Sequence, residues 1–262
     1  MYRLEKDFYL RVKDKIKGIW GKIFVVYIIS VFIIGMVQSR SSIADAFSYI
    51  SNPSLLSDAE VEAVGSFSFA ALVVAIVTST IALSLHMEAY RYLKTDKFEI
   101  SGIFKNINEY GLKILLAGTI KGAISYFLPM IPLGGIVWII VDYGFAYVAY
   151  LMLELPEKDI FSYFRDSWRL TEGKKFDLFK IGIHYYLFVF VAFFFMVVSV
   201  LIAVVGSNLG NGGIQGIGLI LAIVLMIIVI IGLIVRTPYV VIANALYFEE
   251  HIEHEQIYLY DL

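Results

Sequence analysis

"GTIKGAISYFLPMIPLGGIVWIIVDYG", Gly118 to Gly144, is apolar almost throughout, yet it holds one lysine, Lys121, and one aspartate, Asp142. Runs of span length lie on either side of Ile131-Pro132, so the stretch reads as a tight antiparallel helical hairpin. Both charges stand about 10 residues from that bend, roughly 16 Å at 1.5 Å per residue and near the middle of the bilayer. In an antiparallel hairpin they meet at the same depth. A charge at the bilayer centre costs about 2.5–3.5 kcal/mol on insertion scales, and pairing removes much of that cost. The plainest reading of the two charges is therefore a structural staple. Gly118 and Gly122 in "GTIKG" form a small-xxx-small motif that lets a neighbouring helix come close beside Lys121.

The chain around this hairpin has the same character. Of its 262 residues 60% are hydrophobic and 17% charged, against about 25% charged in soluble domains; the mean hydropathy is +0.79. Six spans can be drawn: Ile19–Gln38, Phe67–Tyr90, Leu112–Met130, Leu133–Leu155, Phe179–Gly206 and Ile217 to about Tyr247. The sixth is long for one straight crossing, and Pro238 is expected to kink it. The N-terminus does not read as a cleavable signal peptide, because its basic lead-in is long, the apolar run is of full span length and no A-x-A site follows. Ile19–Gln38 is expected to be a retained first helix.

The net charge of −2 conceals a segregated pattern. Of the 21 Lys and Arg residues, seven lie in Met1–Lys22, five in Arg91–Lys113 and six in Lys158–Lys180. The opposite side has Arg40 alone, and the turn "SNLGNGGIQG" (Ser207–Gly216) has none. Basic residues mark the cytoplasmic side, so both termini are expected there. The outside loop Ser39–Ser66 carries Asp45, Asp58, Glu60 and Glu62. The glycine-rich turn follows a span rather than a soluble strand, which makes it a flexible loop and not a phosphate cradle.

A shift of 60 residues aligns two segments: Ala89-Tyr90 with Ala149-Tyr150, Leu93 with Leu153, Glu99-Ile100 with Asp159-Ile160, and Phe104-Lys105 with Phe164-Arg165. In each, a span exits, an amphipathic segment follows and another span begins. "FYLRVKDKIKGIW" resembles a third such lead-in, and "ANALYFEEH" another exit. The single integral membrane domain 1–262 then reads as three helical hairpins, 1–93, 94–157 and 158–262, each led by an interfacial helix. Chance alignment of apolar sequence is the competing explanation. The expected fold class is all-α, a polytopic membrane bundle of six transmembrane helices with cytoplasmic amphipathic helices.

"SYFRDSWRLTEGKKFDLFKIGIHYYL" (Ser162–Leu187) resembles the signature of a family of uncharacterised six-span integral membrane proteins found mainly in Gram-positive bacteria. In that family a Ser-x-x-(Leu/Met)-x-x-Gly-type turn leads into a Phe-rich helix. The matching residues are Ser167, Leu170 or Thr171, and Gly173, with Trp168 and Arg169 in the same loop and Phe176 and Phe179 beyond. More distantly, the layout is similar to the membrane domain attached to some glycerophosphodiester phosphodiesterases. The resemblance implies a fold and a membrane location and no reaction.

The candidate ligand-binding residues are Lys121, Asp142, Arg236, Thr78, Ser79 and Thr80. Arg236 lies about one turn deeper than Asp142 when both are counted back from their Tyr exits. Thr78-Ser79-Thr80 is the polar cluster of the second span. If these faces converge, two cations meet one anion, and the surplus positive charge calls for a phosphate or carboxylate of a lipid or small amphiphile. The alternative puts Arg236 at the cytoplasmic boundary of a shorter sixth span, which removes the surplus. Glu88 and Glu154 align near span exits, and Glu88 with Arg91 is spaced i, i+3 for an interfacial ion pair.

Little other chemistry is written in the chain. There are no cysteines, which excludes disulfides, thiolate nucleophiles and Cys-based metal sites. His251 and His254 in "EEHIEHE" share a helix face beside Glu249, Glu250, Glu253 and Glu255, but without H-E-x-x-H the tail reads as solvated and no metal is expected. G-x-S-x-G, a Walker-type loop and paired intraspan carboxylates are all missing from the sequence. The expectation is a non-enzymatic protein with no cofactor that binds a lipid or small anionic amphiphile through this polar intramembrane site, with transport of that ligand as an extension of the same reading. Its partners are membrane lipids, anionic ones first, rather than nucleic acid, because the basic aromatic segments flank spans. A structural, regulatory or immunity-type membrane protein acting through protein partners is the alternative.

Overall fold

The computed structural model describes residues 6–38 and 69–250. Arg40, the loop Ser39–Ser66 and the His251/His254 tail lie outside the described residues. Nine α-helices are described: α1 Lys6–Ile16, α2 Trp20–Gln38, α3 Phe69–Thr95, α4 Ile100–Phe127, α5 Gly134–Gly144, α6 Val148–Glu154, α7 Ile160–Leu170, α8 Lys175–Asn208 and α9 Gly212–Phe248. No strand occurs among the described residues. Among the described residues five helical stretches have the length and composition to cross a membrane: Ala71–Thr95, Ile100–Met130, Gly134–Glu154, Lys175–Asn208 and Gly212–Phe248. Only 11% of the most apolar window of the last is buried inside the protein. In water such a surface is an aggregation liability; in hydrocarbon it is solvated.

The chain divides into two compact units. Among the described residues one holds 6–38, 69–181 and 238–250, the other 182–237. The boundary in α9 falls at Pro238, where the sequence predicts a kink; by hydrogen bonding α9 remains one helix through that proline.

In the first unit three amphipathic segments lead into long apolar helices, and each hands over at a glycine in the left-handed region. Gly18 (φ 88°) stands between α1 and α2, Gly111 (φ 42°) within α4, and Gly173 (φ 74°) between α7 and α8. A Cβ is strained at such a φ, so glycine is the residue that turns the chain from an amphipathic segment into an apolar one. The handover at Gly111 makes Leu112 the first residue of the third apolar run, which is where the sequence places it.

The ends of three long helices meet in one aromatic cluster. Ring centroids of Tyr90 (α3), Tyr150 (α6) and Phe248 (α9) lie 5.0 to 5.3 Å apart, and Tyr147 stands 5.0 Å from Phe248. Such pairs add about 0.5–1.5 kcal/mol each beyond area burial. Helix α1 and the first turn of α2 are tied to neighbouring segments of this unit. Arg11 makes a two-pronged pair with Glu250 at 2.8 and 2.9 Å, Tyr92 Oη donates to Lys15 O at 2.8 Å and Lys22 Nζ to Phe98 O at 2.8 Å.

Glu88 and Arg91 pair at 2.9 Å, as their spacing suggests, and Glu88 is 2% exposed. Its carboxylate accepts from Glu99 N at 3.0 Å, and Arg91 Nη2 also donates to Asn106 Oδ1 at 2.7 Å. A Cβ on Gly102 would overlap the Glu88 carboxylate. The carboxylate thus sits at the N-terminus of α4, where the helix dipole favours it. Glu154 pairs with Lys94 at 2.6 Å.

In the second unit, α8 and α9 turn over Leu209–Asn211. Gly210 is left-handed at φ 65°, and Asn211 Oδ1 caps α9 by accepting from Gly213 N and Ile214 N at 3.1 and 3.2 Å. The ten-residue flexible loop read from "SNLGNGGIQG" is therefore a three-residue turn. The glycines that flank the turn serve packing: a Cβ on Gly206 would overlap Gln215 N, and one on Gly218 would lie 2.6 Å from Ala203 N.

Candidate functional site

The opening hairpin forms as its spacing requires. Helix α4 runs into a short 3-10 turn, Leu128–Met130, and Leu133 (φ 62°) starts the return into α5. Lys121 Nζ stands 3.0 Å from Asp142 Oδ1. One turn nearer the bend, Trp138 Nε1 donates to Ser125 Oγ at 3.1 Å. The two contacts are successive rungs of one antiparallel ladder, i and i+4 on each helix. The second rung obeys the same equidistance from the bend as the first, but nothing in the sequence announces it, because neither partner is charged. Lys121 is 18% exposed and Asp142 44%, so the lysine is the more enclosed partner.

The glycines of "GTIKG" face α3. A Cβ on Gly118 would overlap Thr80 Oγ1, and one on Gly122 would lie 2.6 Å from Ile76 Cα. Thr80 is thereby spent on helix packing: it is buried, and its hydroxyl donates to Ile76 O at 2.9 Å. Thr78 and Ser79 point elsewhere. With Val26, Tyr27 and Ser30 of α2, Ala75, Ile81, Ala82 and Leu85 of α3, and Ser125 of α4, they line a cleft of about 310 Å³. That is near the lower end of the roughly 300–1,000 Å³ of small-molecule sites, which are likewise mostly apolar with a few placed polar groups.

His86 follows Ser79 and Ala82 along α3. Its Nδ1 stands 2.9 Å from Tyr150 Oη, within electrostatic reach of both Lys121 and Asp142. Arg236 belongs to the second unit, where His184 lies within its electrostatic reach. Of the six candidate residues the structure thus joins Lys121 to Asp142, sets Thr78 and Ser79 on the cleft, and puts Thr80 under Gly118.

The fourth apolar stretch, expected as one helix Leu133–Leu155, is broken between α5 and α6 over Phe145–Tyr147. The break is held by the loop that carries the family resemblance. Ser167, fully buried, donates to Gly144 O at 2.9 Å and accepts from Tyr147 N at 3.1 Å. Thr171 Oγ1 reaches the same carbonyl at 3.4 Å. A Cβ on Gly144 would run into the Trp168 ring, which carries Lys175 Nζ 3.3 Å from its centroid. Arg169 occupies the last turn of α7, and Gly173 is the left-handed handover residue. One shift of 60 residues earlier, Ser84 O accepts from Asn106 Nδ2 at 3.2 Å. Ser84 and Gly144 occupy equivalent positions, so in both segments the lead-in helix bonds the same carbonyl.

Among the described residues no group of three or more His, Asp or Glu is arranged to hold a metal ion. The fold and its long apolar helices define a protein of the multi-pass helical membrane class. No family model, curated protein or solved structure matches the chain.

Proposed function

We propose that this is a non-enzymatic bacterial plasma-membrane protein with six spans and both termini cytoplasmic, which binds a lipid or small amphiphile inside the membrane. The resemblance of Ser162–Leu187 to six-span proteins of Gram-positive bacteria agrees with that reading. The observation that carries it is the 310 Å³ cleft of α2, α3 and α4, apolar along most of its wall and bearing Ser30, Thr78, Ser79 and Ser125. Lys121 and Asp142 satisfy one another beside it, and their part in the reading is to hold the α4–α5 hairpin that forms one side.

The test is native mass spectrometry of the gently purified full chain. Wild type is compared with Ala82→Phe, which fills the cleft, and with Lys121→Ala and Arg236→Ala. One lipid species held at fixed stoichiometry and lost from folded Ala82→Phe supports the cleft. Indiscriminate lipid, unchanged in every variant, overturns it and turns the search to protein partners.

A further inference from the structure

The hydroxyls on the cleft wall are already partly committed, and the direction of that commitment selects a ligand. Ser30 Oγ bonds Val26 O at 2.9 Å. Thr78 Oγ1 bonds Val74 O at 2.8 Å and lies 3.2 Å from Ala75 O. A carbonyl only accepts, so in both cases the hydroxyl proton is directed back along its own helix. What Ser30 and Thr78 turn toward the cleft is oxygen lone pairs. Ser79 Oγ makes no hydrogen bond among the described residues and so retains a proton to give. Ser125 accepts the Trp138 indole N–H and, donating to no partner among the described residues, also keeps its proton. Lys121, one turn along α4 from Ser125, is matched by Asp142 and leaves no surplus charge on this wall.

From this pattern, and resting on the cleft reading above, we propose that the cleft takes an uncharged single-chain amphiphile whose head carries hydroxyl groups, such as a monoacylglycerol. A hydroxyl head donates to Ser30 and Thr78 and accepts from Ser79, while the apolar remainder (Val26, Ala75, Ile81, Leu85) receives the adjoining part of the chain. A head without a donor leaves the half-buried oxygens of Ser30 and Thr78 with only their backbone bonds, and this sets it apart from a hydroxyl head. A carboxylate is worse placed, because it brings only acceptors and a charge with no cation to meet it.

The experiment uses full-length protein in nanodiscs and three photoactivatable probes with the same twelve-carbon chain: the monoacylglycerol, the methyl ester and the free fatty acid. Labelling of the peptide around Thr78 is quantified at equal mole fraction, in wild type, Thr78→Val and Ala82→Trp. The expected result is a preference of about tenfold for the monoacylglycerol over the ester, from two intramembrane hydrogen bonds, narrowed about threefold by Thr78→Val. Ala82→Trp is expected to abolish the labelling. Equal labelling by ester and monoacylglycerol, or stronger labelling by the fatty acid, overturns the ligand class while Ala82→Trp sensitivity keeps the cleft. Labelling indifferent to Ala82→Trp with all three probes overturns the cleft and the ligand class together. Thr78→Val, a same-shape change, decides the ligand class if Ala82→Trp fails to fold.

Discussion

Lys121 Nζ lies 3.0 Å from Asp142 Oδ1 across the α4–α5 hairpin, and the rung below it joins Ser125 to Trp138. Removing one member of the pair leaves the other charged inside the hydrocarbon, at a cost of about 2.5–3.5 kcal/mol on insertion scales. Asp142→Leu alone and Lys121→Met alone are therefore expected to destabilise the folded protein more than the double change does. Thermal unfolding in detergent of the four proteins in the cycle measures this. If the double variant loses the sum of the two single losses, the pair is not coupled.

The close approach of α4 to α3 yields a prediction with an internal control. Gly118→Ala drives a methyl into Thr80, and Gly122→Ala drives one into the backbone of Ala75 and Ile76. Each is expected to cost about 1–3 kcal/mol as an overpacked contact. Thr80→Ala removes the nearest atom facing Gly118, so it should partly rescue Gly118→Ala and leave Gly122→Ala unrescued. Paired melting curves with and without Thr80→Ala decide this; equal rescue of both glycine variants argues against direct packing of Gly118 on Thr80.

Ser167 is the residue that makes a broken apolar helix tolerable. Ser167→Ala leaves Tyr147 N without its acceptor and Gly144 O with only the longer bond from Thr171. An unmet buried group costs about 1–3 kcal/mol. Hydrogen exchange should accelerate at Tyr147 and in the first turn of α6, while amides around the Ile131-Pro132 bend keep their protection. Uniform acceleration across the α4–α5 hairpin would mean that Ser167 does not act locally.

The hairpin was legible in the sequence because its geometry is arithmetic. Equal distance from a bend brings Lys121 to Asp142 whatever the rest of the chain does, and Gly118 with Gly122 can face only a close neighbour. The handover to Leu112 was legible because composition changes from amphipathic to apolar at Gly111. The break after Gly144 was not. Leu133–Leu155 contains no proline and no polar run to announce it, and the groups that satisfy its backbone, Ser167 and Thr171, arrive 20 or more residues later from a different helix. The glycines around Asn211 misled for a related reason. Glycine marks flexible turns and close helix contacts alike, and the approaches of Gly206 to Gln215 and of Gly218 to Ala203 separate the two uses.

The N-terminus of α7 supplies a pH dependence. Asp159 accepts from Phe161 N and Ser162 N at 2.9 and 3.0 Å. The Ser162 hydroxyl first, and then these backbone bonds, hold its carboxyl below the ordinary carboxylate value. A group depressed in the folded state stabilises fully above its unfolded pKa and loses that contribution as pH falls through the folded one. The window therefore lies below about pH 4. Asparagine at the cap keeps a side-chain acceptor but does not titrate. Melting temperatures of wild type and Asp159→Asn should differ at pH 6, with wild type the more stable because its carboxylate also meets the helix dipole. The gap should close on acidification toward pH 3. A gap that stays constant from pH 6 to pH 3 would show that the Asp159 charge does not anchor α7, and that Ser167 and Thr171 seat this helix without it.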